Sequence, residues 1–133
     1  MTQPAVNVRF DGDAEVFAPG ETLAGDYRAG GVRPDELRAV ELSVLWHTEG
    51  KGDEDLSVHE FARRSAEDDD LPEPGERVRF ETKLPLSPLS YDGAILKIRW
   101  CVRVRVFLQG GKEVVGERQF RLGRVPPVGG PAK

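Results

Sequence analysis

The stretch "LPLSPLSYDGAILKIRWCVRVRVFL" spans residues 84–108 and holds two patterns in succession. A turn rich in proline and serine comes first, and a long run of alternating apolar and basic residues follows it. Alternation with a period of two is typical of a strand with one buried and one solvated face. The apolar face carries Leu96, Ile98, Trp100, Val102, Val104, Val106 and Leu108. The opposite face carries Lys97, Arg99, Cys101, Arg103 and Arg105.

The same two-residue period recurs along most of the chain. Shorter strand candidates occupy residues 6–10, 23–28, 40–46, 56–64, 78–80 and 113–122, and the one at 56–64 alternates least cleanly. Val16 and Phe17 form a further apolar segment that leads into a turn. Clusters of Gly, Pro and Asp separate the runs, and Pro19-Gly20 suits the two central positions of a type II turn. Seven or eight short strands with irregular connections predict an all-β fold of two packed antiparallel sheets, a β-sandwich.

Length, charge and cysteine content narrow the class of protein. The chain has 133 residues, which suits a single sandwich domain over residues 1–125 and a Pro/Gly-rich C-terminal tail over 126–133. Its net charge of −4 argues against binding nucleic acid through bulk electrostatics. Cys101 is the only cysteine, so an intrachain disulfide is excluded. The sequence shows no signal peptide and no apolar run of membrane-spanning length, so we expect a cytoplasmic location.

Two blocks of the sequence resemble the arrestin-like β-sandwich family. "VFAPGETLAG" (16–25) resembles the early strand–turn–strand of an N-terminal-type arrestin lobe, and "FETKLPLSPLSYDGAILKIRWCVRVRVFL" (80–108) resembles a later block of the same family. The family includes cargo adaptors, a retromer subunit and bacterial sporulation-control proteins. The resemblance implies a Greek-key sandwich of immunoglobulin-like or arrestin-like type, which serves as a scaffold or adaptor. Members usually carry two lobes, whereas this chain has the length of one, so no functional residue is transferred from the family.

Motifs for catalysis or for cofactor binding are missing from the sequence. It contains no nucleophile elbow, Walker loop or dinucleotide fingerprint, so we expect neither an enzyme nor a cofactor. The acidic run of residues 67–70 lacks the spacing of a calcium loop and is predicted to be a solvated loop. His47 and His59 flank the predicted hairpin loop at 48–55 but are staggered too far along their strands to share a metal ion directly. Cys101 is interpreted as a partly covered surface thiol.

The basic residues leave two interpretations open. If the strands at 77–83 and 96–108 share a sheet, its outer face carries the candidate anion-binding residues Arg77, Arg79, Lys97, Arg99, Arg103 and Arg105. Alternatively, carboxylates on neighbouring strands neutralise these cations, each pair contributing about 0.2–1 kcal/mol. A two-residue turn at Gly110-Gly111 would pair Cys101 with Phe120 and leave Phe120 and Leu122 on the solvated side. A three-residue loop or a bulge shifts the register by one and turns both inward, and in that register we expect Arg105 opposite Glu117 and Arg103 opposite Gln119.

These observations predict a non-catalytic protein-interaction or scaffold domain. A protein partner, or a second copy of the chain, would add a strand to an unpaired sheet edge. The alternative is an anion-binding module that recognises an acidic peptide, a phosphorylated partner or anionic lipid through the basic face. We expect no nucleic-acid partner. Peripheral contact with a membrane would follow from the anionic-lipid alternative and has no other support in the sequence.

Overall fold

The computed structural model describes residues 3–52 and 54–123, and nearly all of its regular structure is strand. In chain order the strands are β1 (Ala5–Phe10), β2 (Val16–Phe17), β3 (Thr22–Gly30), β4 (Leu37–Gly50), β5 (Leu56–Ser65), β6 (Arg77–Lys83), β7 (Tyr91–Asp92), β8 (Leu96–Leu108) and β9 (Lys112–Leu122). A 3-10 turn, Asp11–Asp13, follows β1. The prediction of an all-β fold is confirmed. The predicted tail at 126–133 lies outside the described residues.

The strands form two sheets. A small sheet has the order β1-β3-β6, and a large sheet has the order β2-β9-β8-β4-β5. β7 pairs with the first residues of β8, on the same side as β9, which pairs with β8 only from Trp100 onward. Pairing within the described residues is antiparallel except between β2 and β9, which run parallel over two residues. The two-sheet sandwich is therefore confirmed, and in the described part of the chain the short β2 is the one departure from antiparallel order.

A type II turn carries the chain from one sheet to the other. Gly20 has a φ of 82°, which a residue with a side chain rarely adopts. The amide of Glu21 donates to the carbonyl of Ala18 at 3.0 Å and closes the turn. Because β2 lies in the large sheet and β3 in the small one, the predicted Pro19-Gly20 turn acts as a corner of the sandwich.

The core lies between the two sheets and is formed by the alternating apolar residues. Val102, Val104 and Val106 of β8 are fully buried, as the period of two predicts. Trp100 is buried as well, and its indole Nε1 donates to the Pro88 carbonyl at 2.8 Å. An aromatic cluster closes one end of the core, with edge-to-face pairs of rings at 5.6–5.9 Å among Phe10, Phe17 and Phe120.

The two lateral sides of the sandwich differ. On one side β1 lies against β9 so closely that a side chain at Gly116 would collide with Val6. On the other side β5 and β6 both end their sheets, and within the described residues no strand pairs with their second edges. Thr82 Oγ1 donates to Glu60 Oε1 at 2.7 Å and bridges this open side. The open side therefore offers two strand edges to a further chain.

The largest difference from the sequence-based boundaries is at β4. β4 begins at Leu37 and continues to Gly50, so the connection to β5 is shorter than the predicted loop of residues 48–55. Pairing of Gly50 with Leu96 holds these extra residues in the sheet, although their side chains are polar or absent.

Among the residues that the structure describes, no helix has the length and apolar character needed to cross a bilayer.

Candidate interaction surface

The six cations of the candidate anion-binding face lie on different sheets. β6, in the small sheet, carries Arg77 and Arg79, and β8, in the large sheet, carries Lys97, Arg99, Arg103 and Arg105. The condition that the two strands share a sheet is therefore not met, and the expected single cluster does not form. The connection between the strands crosses from one layer to the other, which a period of two in the sequence does not reveal.

The register of β8 and β9 follows from a three-residue loop. Trp100 pairs with Phe120, and both side chains point into the core, as that loop length predicts. Arg103 pairs with Glu117, and Arg105 pairs with Val115. The expected pairs, Arg105 with Glu117 and Arg103 with Gln119, are wrong by two residues. A loop of this length after Leu108 places Lys112 opposite Leu108, and every later pair follows from that one.

Carboxylates lie beside the cations of β8. The Nε of Arg103 donates to Glu117 Oε2 at 2.9 Å. The other cations have the following neighbours: Asp92 beside Arg99 at 3.0 Å, Glu113 beside Arg105, and Glu49 opposite Lys97 in the ladder. Pairs of this kind neutralise the outer face of the strand locally, which is what the structural interpretation of the basic residues predicts.

Asp26 organises the arginines of the small sheet. Its side chain is 11% exposed and accepts two bonds from Arg9, at 3.1 and 3.0 Å, and one from Arg77 at 2.9 Å. Arg79 binds Asp11 through two bonds at 2.6 and 2.7 Å and lies 3.9 Å from Asp26. The hydrogen bonds from Arg9 hold the pKa of Asp26 below its ordinary value. These arginines therefore surround an internal anion.

Cys101 is buried on the outer face of the large sheet, so the expected partly covered surface thiol is wrong. Its exposed fraction is 0%, and it lies between Leu45 on β4 and Gln119 on β9. Burial raises the pKa of the thiol to about 11. Strands on both sides of β8, together with the long side chains on its outer face, exclude water from a position that strand parity alone marks as solvated.

His47 and His59 each have a hydrogen-bond partner of their own. Nε2 of His47 lies 3.2 Å from Glu49 Oε2, and Nε2 of His59 donates to the Lys83 carbonyl at 2.8 Å. Within residues 3–52 and 54–123, no group of three or more His, Cys, Asp or Glu side chains is placed to hold a metal ion.

The acidic run of residues 67–70 forms an exposed loop after β5, in the place expected for a solvated loop. Two of its carboxylates cap the end of the strand. The amide of Ser65 donates to Asp70 Oδ1 at 2.7 Å, and the hydroxyl of Ser65 donates to Asp68 Oδ2 at 3.1 Å. These bonds give the acidic residues a local structural role.

The clearest departure from an ordinary sandwich is on β5. The core residues of β4 face inward, so Leu45 and Ser43 face outward, and the β5 residues paired with them, Val58 and Phe61, face outward too. Leu56 shares this outer face. The exposed fractions of Leu56, Val58 and Phe61, which we call the β5 surface, are 55%, 46% and 53%. An edge strand of a sandwich normally places such side chains against the core.

The inner face of β5 is correspondingly polar. Glu60, Ala62 and Arg64 face the space between the sheets and line a cleft of about 220 Å³ that opens between β5 and β6. A bulge at His59, between the pairs Leu45–Val58 and Val44–Glu60, reverses the alternation. The less clean pattern of residues 56–64 was the sequence signal of this bulge, and it did not reveal which face was apolar.

Comparison with known proteins supports the fold. No protein-family model matches the chain, and a search of curated proteins gives no match. Spo0M, a sporulation control protein from Bacillus subtilis, superposes with a TM-score of 0.60 at 14% identity over 94% of this chain and 51% of the Spo0M chain. The fold is an arrestin-like β-sandwich. The present chain thus spans about half the length of Spo0M.

A second solved structure shows a comparable sandwich. The superoxide reductase (neelaredoxin) from Ignicoccus hospitalis superposes with a TM-score of 0.52 at 10% identity, over 89% of this chain and 80% of that protein. At such identities the likeness concerns the fold alone. A sporulation-control protein was among the relatives that the sequence resemblance implied, whereas likeness to arrestins themselves and to the retromer subunit stays a prediction.

Proposed function

We propose that this chain is a non-catalytic interaction module that joins protein chains by accepting an added strand at β5. The observation that carries the proposal is the inverted β5: its apolar side chains face solvent, and its second edge is unpaired among the described residues. A strand added to this edge would continue the ladder of the large sheet. Its outward side chains would then lie beside those of the β5 surface.

The energetics favour coverage of this face. Full burial of a Val, Leu or Phe side chain is worth about 1.5–3 kcal/mol, so covering the half-exposed β5 surface recovers roughly 1 kcal/mol per side chain. The main-chain hydrogen bonds of an added strand contribute a further part of the affinity. Val115 on β9 is equally exposed but is isolated among charged residues, so it makes no comparable apolar group.

Anion binding by the basic residues has weaker support. Arg99 and Arg103 each contact a carboxylate within 3.0 Å, and Asp26 lies among the arginines of the small sheet. An anionic ligand would have to displace these internal partners. A cytoplasmic location also stays a prediction.

Site-specific photo-crosslinking tests the proposal. A benzoylphenylalanine placed at Phe61 on β5 is compared with the same probe at Val115, an equally exposed outer-face position on β9. We expect irradiation in the native cell to join position 61, and not position 115, to a protein chain. Mass spectrometry of the product identifies that chain as a second copy or another protein. Equal yields from the two positions, or no protein product from position 61, would contradict the proposed function.

A further inference from the structure

We infer that the strand accepted by β5 is the β5 of a second copy, paired antiparallel about a two-fold axis that passes beside Ala62. The inference rests on the proposed function and names its partner. The two large sheets would then continue into one another, and the β5 surfaces of both copies would form a single apolar band on the outer face of the joined sheet. An interface of this kind is isologous, so β5 must be complementary to itself.

The charges on the inner face of β5 meet that requirement. Glu60 and Arg64 lie two residues before and two residues after Ala62, and both line the cleft between the sheets. Antiparallel pairing centred on Ala62 places Glu60 opposite Arg64 of the second copy, and the same pair forms again by symmetry. Only one carboxylate oxygen of Glu60 is bonded to Thr82, so the other oxygen is available to accept from a guanidinium.

The outer face fits the same register. Phe61 and Arg63 flank Ala62 by one residue each, so the guanidinium of one copy comes opposite the aromatic ring of the other. Arg63 already lies over an aromatic ring within its own chain, 5.9 Å from the centroid of Phe107. Arg63 also donates to Glu41 on β4, so its side chain must turn from these two partners towards the two-fold axis to stack on Phe61 of the second copy.

Neighbouring registers lose these pairs. A shift of two residues in one direction centres the axis on Arg63 and places two like charges opposite each other. The same shift in the other direction centres it on Phe61 and places Glu60 opposite Ala62, without a charge partner. Shifts that change parity are excluded because paired residues must point to the same face of a sheet.

The inner charges also select against other strands. A charged side chain that points inward from an edge strand keeps foreign strands away, because pairing would desolvate the charge. Two opposite charges placed symmetrically about Ala62 are neutralised by an antiparallel copy of the same sequence. β5 has no proline over its ten residues, so no missing amide interrupts the ladder. The strand is therefore protected from most partners and is complementary to itself.

Charge exchange tests the inference. We expect the wild-type chain to sediment with twice the mass of the 14.7 kDa chain. Glu60→Arg and Arg64→Glu, made separately, should each raise the dissociation constant of the dimer by about tenfold or more, because each places like charges opposite one another twice. An equimolar mixture of the two variants should form a heterodimer, and the double variant should dimerise again. Lys112→Glu, an equal charge change on exposed β9, should leave the dimer intact.

A second measurement covers the event that a variant fails to fold. Hydrogen exchange of β5 amides in the wild-type chain should slow as concentration rises, while exchange in β6 stays constant. A wild-type monomer at all concentrations, or a mixture that forms no heterodimer from folded variants, would overturn the inference. If the chain is monomeric but position 61 crosslinks to a different protein, the proposed function holds and only the second copy is rejected.

Discussion

Arg103 and Glu117 face each other across β8 and β9, with the guanidinium Nε 2.9 Å from the carboxylate oxygen. The pair shows how the most basic strand of an acidic protein is neutralised by its own neighbours. An alternating run of arginines is therefore compatible with an ordinary solvated sheet face. The sequence of β8 left open whether its cations bind a ligand or are neutralised by carboxylates on neighbouring strands. Exchanging the charges of Arg103 and Glu117 tests whether this pair contributes to stability.

Exchange of Arg103 and Glu117 should reveal a modest structural pair. Arg103→Glu places two carboxylates opposite each other and should lower the free energy of unfolding by about 1 kcal/mol. Adding Glu117→Arg should recover most of that loss, as measured by urea unfolding in a double-mutant cycle. Zero coupling between the two substitutions would show that the contact contributes nothing to stability.

Asp26 should contribute more to the stability of the fold than the Arg103–Glu117 pair, because its carboxylate is nearly buried and accepts hydrogen bonds from two arginines. Asp26→Asn should lower the free energy of unfolding by about 1.5–3 kcal/mol, the usual value for hydrogen bonds to charged groups. Asp11→Asn is the matched control, because its side chain is half exposed, and its effect should be smaller. Equal effects of the two substitutions would contradict the central place given to Asp26.

The carboxylate of Asp26 should make the free energy of unfolding depend on pH. Its folded pKa is lowered, so the stabilisation is complete above the unfolded value, about 3.9, and is lost as the pH falls through the lower folded value. Denaturant unfolding at a series of acidic pH values should show a steeper loss for the wild-type chain than for Asp26→Asn. Parallel curves for the two proteins would show that Asp26 titrates alike in the folded and unfolded states.

Cys101 should be an unreactive thiol in the folded protein. With a pKa of about 11, its thiolate fraction at mildly alkaline pH is lower by about two orders of magnitude than that of an exposed cysteine, and burial slows attack further. Labelling with a chromogenic disulfide should therefore be slow in buffer and fast in guanidinium chloride. Equal rates under the two conditions would mean that the thiol is accessible in the native state.

Gly116 should be required where β1 lies against β9. A Cβ at this position would collide with the backbone and side chain of Val6, so Gly116→Ala should lower the free energy of unfolding by about 1–3 kcal/mol. Gly30→Ala is the control, because no heavy atom lies within 4 Å of its added Cβ, and its effect should stay within about 0.5 kcal/mol. Thermal or urea unfolding measures both. Similar losses at the two positions would refute the close approach of the strands.

Most of the fold could be predicted because local pattern and local structure agree. The strict alternation of β8 marks the central strand of the core, and Pro19-Gly20 forms the expected corner. β7 was not predicted, because Tyr91 and Asp92 directly follow the turn rich in proline and serine and are one aromatic and one charged residue, with no apolar pair to mark a strand. The register of β8 and β9 depended on loop length, and the expected pairs were displaced by two residues. The candidate site was less predictable, because it depends on which strands become neighbours.

The sequence by itself determined the class of fold and the faces of its regular strands, because the side-chain period of a strand is a local property. Only the tertiary structure decided that Arg79 and Arg103 lie on different sheets, that Cys101 is covered, and that the apolar face of β5 points to solvent. These features depend on layer crossings, on burial by neighbouring strands and on a single bulge at His59. A bulge adds one residue to one strand, so the side chains beyond it that would have faced the core face solvent, and the reverse. The face of such a strand can therefore be assigned only when its pairing with the neighbouring strand is known.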